Sequence, residues 1–372
     1  MEKHKKPPLI IDSGSSTIKA GLAGDKIPSL TIPSFVGRAK FPHTLKKRTS
    51  DTYVGFEAER NISQLKLRYP ISRGKVENWA DVEELWKYVY SALSLTTNAQ
   101  PVIISETSFN PCENREKTAE IFFETFNVPG MLLASQGILS LYSTGSTTGV
   151  ILDCGEGTTQ ITPIYEGFSI AQAITRMDLA GKDLTEHLIR LLMRSGYSIS
   201  SSHDIELART IKEQKCYVSP AKIDMNSPLE KALPESFTMP DGRIIPLANE
   251  RYLAAEILFT PDRLGLELPG ISQLLINSVQ NTAIDLRKNL YSKIYVTGGT
   301  TLMTGFGQRL LGDIKKASPK DVKVKMVLAN NRINACWLGA SVLSSTSEFG
   351  NSVISRRRYE EEGNRIFYTW PF

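Results

Sequence analysis

Two short segments of the chain carry side chains suited to holding phosphate and a divalent cation. Asp12-Ser13-Gly14-Ser15-Ser16-Thr17 follows the apolar run Leu9-Ile10-Ile11, and Asp153-Cys154-Gly155-Glu156-Gly157-Thr158-Thr159 follows Val150-Ile151-Leu152, 141 positions later. A β-phosphate needs backbone N–H groups that it can approach closely, and small residues at a tight turn provide them. Gly14, Ser15 and Ser16 meet that need in the first segment, and Gly155, Glu156 and Gly157 in the second. Lys19 adds a point positive charge after the first turn. Asp12 and Asp153, each first after its apolar run, could face one another and hold Mg²⁺ through its water shell, because Mg²⁺ gives up its waters reluctantly. A single Asp-x-Gly after a strand is usually a plain turn; the repetition carries the reading. Neither G-x-x-x-x-G-K-[ST] nor G-x-G-x-x-G occurs, so the glycine-rich loops that open a helix are excluded.

The elements that must position these turns follow from periodicity. The two copies predict a duplicated domain with two strand-turn-strand hairpins. A third strand, Lys293 to Thr297, ends in Gly298-Gly299-Thr300-Thr301, and helical spacing resumes at Phe306, Leu310, Leu311 and Ile314. Amphipathic helices are predicted over Asp81 to Leu93, Asn114 to Phe126, Asp183 to Arg194, Ile205 to Tyr217 and Ile271 to Arg287. Strands alternating with such helices indicate an α/β chain with helix-covered sheets. Ala39 to Asp51 and Ser219 to Pro234 read as surface loops.

At 372 residues the chain exceeds one core and should form two domains or lobes. Its 41% apolar and 22% charged content excludes a disordered chain and a coiled-coil rod. No apolar run reaches a membrane span, and the opening segment lacks a signal-peptide core, which points to the cytosol or nucleus. Cys112, Cys154, Cys216 and Cys336 are scattered and pair with none of the four histidines, against both a disulfide scaffold and a zinc site. The net charge of +5 is far below that of a dedicated nucleic-acid binder. Positive charge gathers at Lys3 to Lys6, at Lys46-Lys47-Arg48 and at Arg356-Arg357-Arg358. Each cluster is either a solvated surface or a contact for an acidic partner.

The two Asp-x-Gly turns and the Gly-Gly-Thr-Thr turn resemble the phosphate-1, phosphate-2 and adenosine motifs of the actin, hexokinase and heat-shock chaperone superfamily. Longer segments resemble actins: Pro111-x-x-Asn114-Arg115-Glu116, Phe123 to Pro129, Leu139 to Tyr142, Pro163 to Gly167, Asp178 to Thr185, Ile211-Lys212-Glu213 with Cys216-Tyr217, and Pro240-Asp241-Gly242. The resemblance runs from about Pro8 to Phe372. It implies a duplicated ribonuclease-H-like fold of two lobes and four subdomains around a nucleotide cleft. Subdomain 1 would span 1–33, 68–143 and 335–372, subdomain 2 34–67, subdomain 3 144–179 and 267–334, and subdomain 4 180–266. ATP or ADP would be bound with Mg²⁺ or Ca²⁺, the metal at Asp12 and Asp153. Asp12, Gly14, Ser15, Ser16, Lys19, Asp153, Gly155, Glu156 and Gly157 would surround phosphates, metal and ribose. Arg209, Lys212 and Glu213 would flank the nucleoside, with Gly181, Gly299, Leu302 and Met303 around sugar and base. Gln136 would position the attacking water, with Gln160 and Asp153 beside it.

The departures from actin bear on activity. Ser16 replaces a glycine, Ser13 an asparagine and Gln160 a histidine near the attacking water, so no titrating side chain stands there and slow hydrolysis is expected. Ile333 replaces an adenine-flanking lysine. The loop Ala39 to Asp51 is one residue shorter than actin's and carries Lys46, Lys47 and Arg48, a site for an acidic protein partner. The basic N-terminus inverts actin's acidic one, whereas Arg263 to Leu268 keeps the apolar plug that permits polymerisation. Ser318 to Lys325 and Ile333 resemble centractin among the actin-related proteins, and Asp178 to Thr185 resembles conventional actin; the subclass stays open. The resemblance implies a cytoplasmic, cytoskeletal protein joining other actin-family subunits in a filament or complex, with a nuclear chromatin-remodelling subunit as the alternative. A small-molecule kinase of the same superfamily would need an acidic base beside a substrate pocket, and no segment supplies one.

Overall fold

A computed structural model describes residues 6–40, 52–199, 201–223, 233–239 and 242–367. Lys46, Lys47 and Arg48, and Lys3 to Lys5, lie outside them. The chain divides into two compact units, one of residues 1–148, 164–169 and 331–372 and one of 149–163 and 170–330.

In the first unit five strands, β1 (Leu9–Ser13), β2 (Thr17–Leu22), β3 (Leu30–Pro33), β4 (Val102–Glu106) and β5 (Gly130–Ser135), are joined by Ile354–Ser355. Their order is β3-β2-β1-β4-β5-Ile354–Ser355. β1, β4 and β5 run parallel, and β1 and β2 form an antiparallel hairpin with Asp12 opposite Lys19. The central strands are apolar along their length because both faces of the sheet are covered. The helix Trp79–Ala92 lays Val82, Leu85, Trp86 and Val89 against one face, a spacing of three and four residues that keeps one stripe inward. The Asn78 side chain caps it by accepting from the Asp81 N–H. On the other face Gln136–Tyr142 and Ala335–Ser344 meet at Gly339, where any Cβ would overlap the Leu139 carbonyl. A smaller sheet is formed by Val36–Ala39, Thr52–Val54 and Leu65–Arg68.

The basic run Arg356-Arg357-Arg358 forms a short helix, Arg356–Glu362, in which each arginine pairs with the glutamate four residues on, at 2.8, 2.8 and 2.7 Å. This cluster is therefore matched by its own helix. Tyr359 stacks on Phe123 with centroids 4.5 Å apart.

The second unit is built on β6 (Gly149–Cys154), β7 (Thr159–Tyr165) and β8 (Ile294–Thr297), in the order β7-β6-β8, with Met326–Val327 beyond β8 and Thr175–Met177 beside β7. β6 and β8 are parallel, with Asp153 opposite Thr297. The predicted helix over Phe306 to Ile314 forms as Phe306–Ala317 and buries Phe306, Leu310 and Ile314. Arg309 is buried with them, because its guanidinium donates to both oxygens of fully buried Glu256 at 3.1 Å and to Asp313 at 3.0 Å.

Two predicted helices differ from expectation. Ile271 to Arg287 is split into Ile271–Gln280 and Ile284–Tyr291. The Thr282 hydroxyl donates back to Val279 O, and Arg287 donates to Gln280 O and Thr282 O, so side chains satisfy carbonyls that a continuous helix would use. Asn114 to Phe126 is helical only through Glu120 and then widens into a π turn over Ile121–Thr125 that buries Ile121, Phe122 and Phe123 together.

Candidate functional site

The two turns have the same internal geometry. Gly14 N–H donates to Thr17 O at 3.1 Å, and Gly155 N–H donates to Thr158 O at 3.1 Å. Both glycine donors are thus committed to the turns themselves. The aspartates are matched as well. Ser105, at the end of β4, donates to Asp12 Oδ1 at 2.6 Å, and Thr297, at the end of β8, donates to Asp153 Oδ1 at 2.9 Å. In each unit the aspartate ends a buried strand and receives a hydroxyl from the parallel strand beside it.

In the first unit Asp12 is buried and pairs with Lys19 Nζ at 3.5 Å across the β1–β2 hairpin. Gln136 opens its helix directly after β5, and its Nε2 lies 3.4 Å from both Asp12 Oδ1 and Ser105 Oγ. The turn is tied to its surroundings by serines: Trp86 Nε1 donates to Ser13 Oγ at 3.1 Å, Gly74 N–H donates to Ser15 Oγ at 3.0 Å, and Ser34 donates to Gly14 O at 2.6 Å. Ser16 O accepts from Ser34 N–H at 2.8 Å. Beside this cluster a cavity of about 40 Å³ is lined by Ser13, Ser105, Glu106, Asn110 and Gln136 among others. Burial pushes the Glu106 carboxyl up, although Arg115 and Asn110 both donate to it.

In the second unit Glu156, Gly181 and Lys212 are brought into direct contact. Lys212, almost fully buried, donates to Glu156 Oε2 at 3.1 Å and to Gly181 O at 2.8 Å. Gly181 N–H donates to Gly155 O, and Thr300 Oγ1 donates to the same oxygen at 2.7 Å. A Cβ at Gly181 would overlap Glu156 Oε2 and Thr300 Oγ1, so a larger residue would displace the side chains that meet where the helix Gly181–Arg194 starts against the turn. Arg209 and Glu213 lie on the same helix as Lys212, Ser202–Lys215, and pair with each other at 3.0 Å. Burial alone would lower the Arg209 guanidinium's pKa, but the carboxylates of Glu156, Glu206 and Glu213 outweigh it and the pKa is raised. Gly299 and Leu302 form a single 3-10 turn, with Met303 at its end. Gln160 is buried on β7, and its Nε2 donates to Thr158 Oγ1 at 3.1 Å. Gly157 lies between Glu156 and the start of β7. In the first unit Ile333 stands on the short turn Arg332–Asn334 and is 41% exposed.

Sequence reasoning passed over the hydroxyls of Ser105, Thr297 and Ser34. A hydroxyl residue that closes an apolar strand, as in Val102-Ile103-Ile104-Ser105 and Ile294-Tyr295-Val296-Thr297, is the signal that would have found the first two.

A duplicated α/β frame that twice sets a strand-end aspartate beside a small-residue hairpin turn is the arrangement expected of the class of protein that the sequence motifs resemble. The family model for actin matches residues 3–369. The chain is also similar to an actin-like protein of Neurospora crassa, at 40% identity over 367 residues, which cover 96% of this chain and 97% of that relative. The chain belongs to the actin family, and so to the ATP-binding, actin-like proteins.

Proposed function

We propose that this protein is an actin-related subunit that binds ATP with a divalent cation, hydrolyses it slowly, and works by assembling with other actin-family subunits in a filament or complex. The observation that carries the reading is the repeated arrangement of turn, strand-end aspartate and neighbouring hydroxyl. Phosphates would be met by the N–H groups of Ser15 and Glu156, which follow the committed glycine donors, and by Lys19. Lys212, Arg209 and Glu213, with Gly181, Gly299, Leu302 and Met303, would form the nucleoside end.

Asp12 and Asp153 would each offer the hard carboxylate oxygens that Mg²⁺ or Ca²⁺ prefers, with waters and phosphate oxygens completing the shell. When bound, the cation neutralises phosphate charge. Gln136 would orient the attacking water. The carboxamide of Gln160 neither gains nor loses a proton near neutral pH, which supports slow turnover. The four-subdomain division, the cytoplasmic and cytoskeletal setting, and an acidic partner at Lys46, Lys47 and Arg48 belong to this reading. Among the described residues no helix is long and apolar enough to cross a membrane.

Melting with and without saturating Mg-ATP tests the binding. At 100 times the dissociation constant the gain is about 2.7 kcal/mol, and Asp153→Ala should remove the metal-dependent part. An unmoved curve sinks the ATP reading. Pelleting with and without actin tests assembly. If reversing Lys46, Lys47 and Arg48 to glutamate leaves pelleting unchanged at every salt concentration, the loop is only solvated surface.

A further inference from the structure

We propose that Ser105 is a positioning residue for ATP hydrolysis, because its hydroxyl, together with the Asp12 carboxylate that it holds, sets which end of the Gln136 carboxamide faces the attacking water. The inference rests on the functional reading above.

A serine hydroxyl has one proton to give and lone pairs to receive with. Ser105 gives its proton to Asp12 Oδ1 at 2.6 Å, the short distance of a hydroxyl on a carboxylate. Toward Gln136 it can therefore only accept, and the Asp12 carboxylate, paired with Lys19, accepts too. Both neighbours demand the NH₂ end, and Nε2 lies 3.4 Å from each. These are long contacts, of the kind that tighten when a substrate completes the site. The carbonyl Oε1 is left as the outward end. A water bound there donates one proton to Oε1 and keeps a lone pair directed away from the side chain. That lone pair forms the bond to the γ-phosphorus as the bond to the bridging oxygen breaks, the electron pair leaving with ADP. One water proton stays on the phosphate product and the other passes to solvent.

The second unit provides an internal comparison. Thr297 holds Asp153 by the same strand-end hydrogen bond. A threonine can therefore hold such a carboxylate, and the variant that keeps the hydroxyl is Ser105→Thr. A cavity beside Ser105, lined by Ile71, Ile104 and Leu133 as well as by Glu106, Asn110 and Gln136, bears on the size of the effect. At about 40 Å³ it exceeds the roughly 10–15 Å³ that one water requires, so water can partly replace a deleted hydroxyl.

The test compares the parent, Ser105→Ala and Ser105→Thr in single-turnover hydrolysis, ATP affinity and solvent exchange of the Gln136 side-chain amide, whose signals are identified by their loss in Gln136→Glu. Ser105→Ala should slow the chemical step about tenfold, below the roughly hundredfold loss that misplacement can cause. ATP affinity should change less than about threefold, and Gln136 amide exchange should accelerate. Ser105→Thr should restore both rate and protection. Unchanged hydrolysis in Ser105→Ala overturns the proposal. So does a parallel fall of rate, affinity and melting temperature in both variants, which would mark a packing role. A parent that Mg-ATP fails to stabilise overturns the functional reading and this proposal with it, and that failure is seen before any variant is compared.

Discussion

Replacing Gly298 by alanine should be among the most damaging single-atom-scale changes in the second unit. Gly298 has φ +94° and ψ 150°, a region that residues with a Cβ hardly enter, at a strain of about 1–3 kcal/mol. An added Cβ would also overlap the backbone N, C and O of Cys154. That backbone cannot yield cheaply, because Cys154 ends β6 next to Asp153, whose partner in β8 is Thr297. Overpacking of this kind adds about 1–3 kcal/mol, and together the terms come to about 2–6 kcal/mol. At about 2–4 °C per kcal/mol the melting temperature should fall by about 10 °C. The control is Gly196→Ala, which has the same φ of +94° but no atom within 4 Å of the added Cβ; it should lose only about 1–2 kcal/mol. Thermal or urea unfolding of the two variants decides the matter. Equal losses would show that backbone strain alone matters and that the close approach of the two strand ends does not.

Arg309→Met should destabilise by about 3–5 kcal/mol, because it strands the buried carboxylate of Glu256, and unfolding of the double variant with Glu256→Gln should recover part of that loss. His187 is pushed down to about 4 by burial and by Arg190, Arg194 and Arg263. The unfolded chain therefore takes up this proton first as pH falls, and stability should drop from about 6.5 towards about 4 and then level off. Unfolding of His187→Gln across that window should show a flatter acid limb. Tyr359→Ala should loosen the segment after Ser355 while leaving Mg-ATP stabilisation unchanged, as read by hydrogen exchange and melting.

The turns were legible because their chemistry is local. Strand, aspartate and small residues are consecutive, and the repeat at a fixed distance removed the ambiguity of a single Asp-x-Gly. The hydroxyls of Ser105 and Thr297 were not legible, because a serine or threonine after an apolar run acquires a role only when the parallel strand beside it is known. The break at Asn281 to Ala283 escaped for a related reason. Apolar spacing continues across it, and only the back-bonding of Thr282 and Arg287 reveals the corner. Charge clusters were the least legible, since Arg356-Arg357-Arg358 looks available until helical spacing brings Glu360, Glu361 and Glu362 beneath it.

That terminal helix runs from arginine to glutamate, which sets positive charge at the end where the helix's own dipole is positive and negative charge where it is negative. At 7 residues it is also far shorter than a helix that persists alone in water. Its ion pairs therefore hold a shape that the backbone field opposes, and its persistence depends on what it rests upon. That support is the Tyr359 ring on Phe123, the Tyr359 hydroxyl donating to Glu124 at 3.1 Å, Asn364 donating to Glu116 at 3.1 Å, and the burial of Ile354 before the helix and of Ile366 and Phe367 after it in the core of the first unit. The helix is thus held from two sides, by the π turn that presents Phe123 and by the core that takes up Ile366 and Phe367, and a helix that could not stand alone becomes a brace between them.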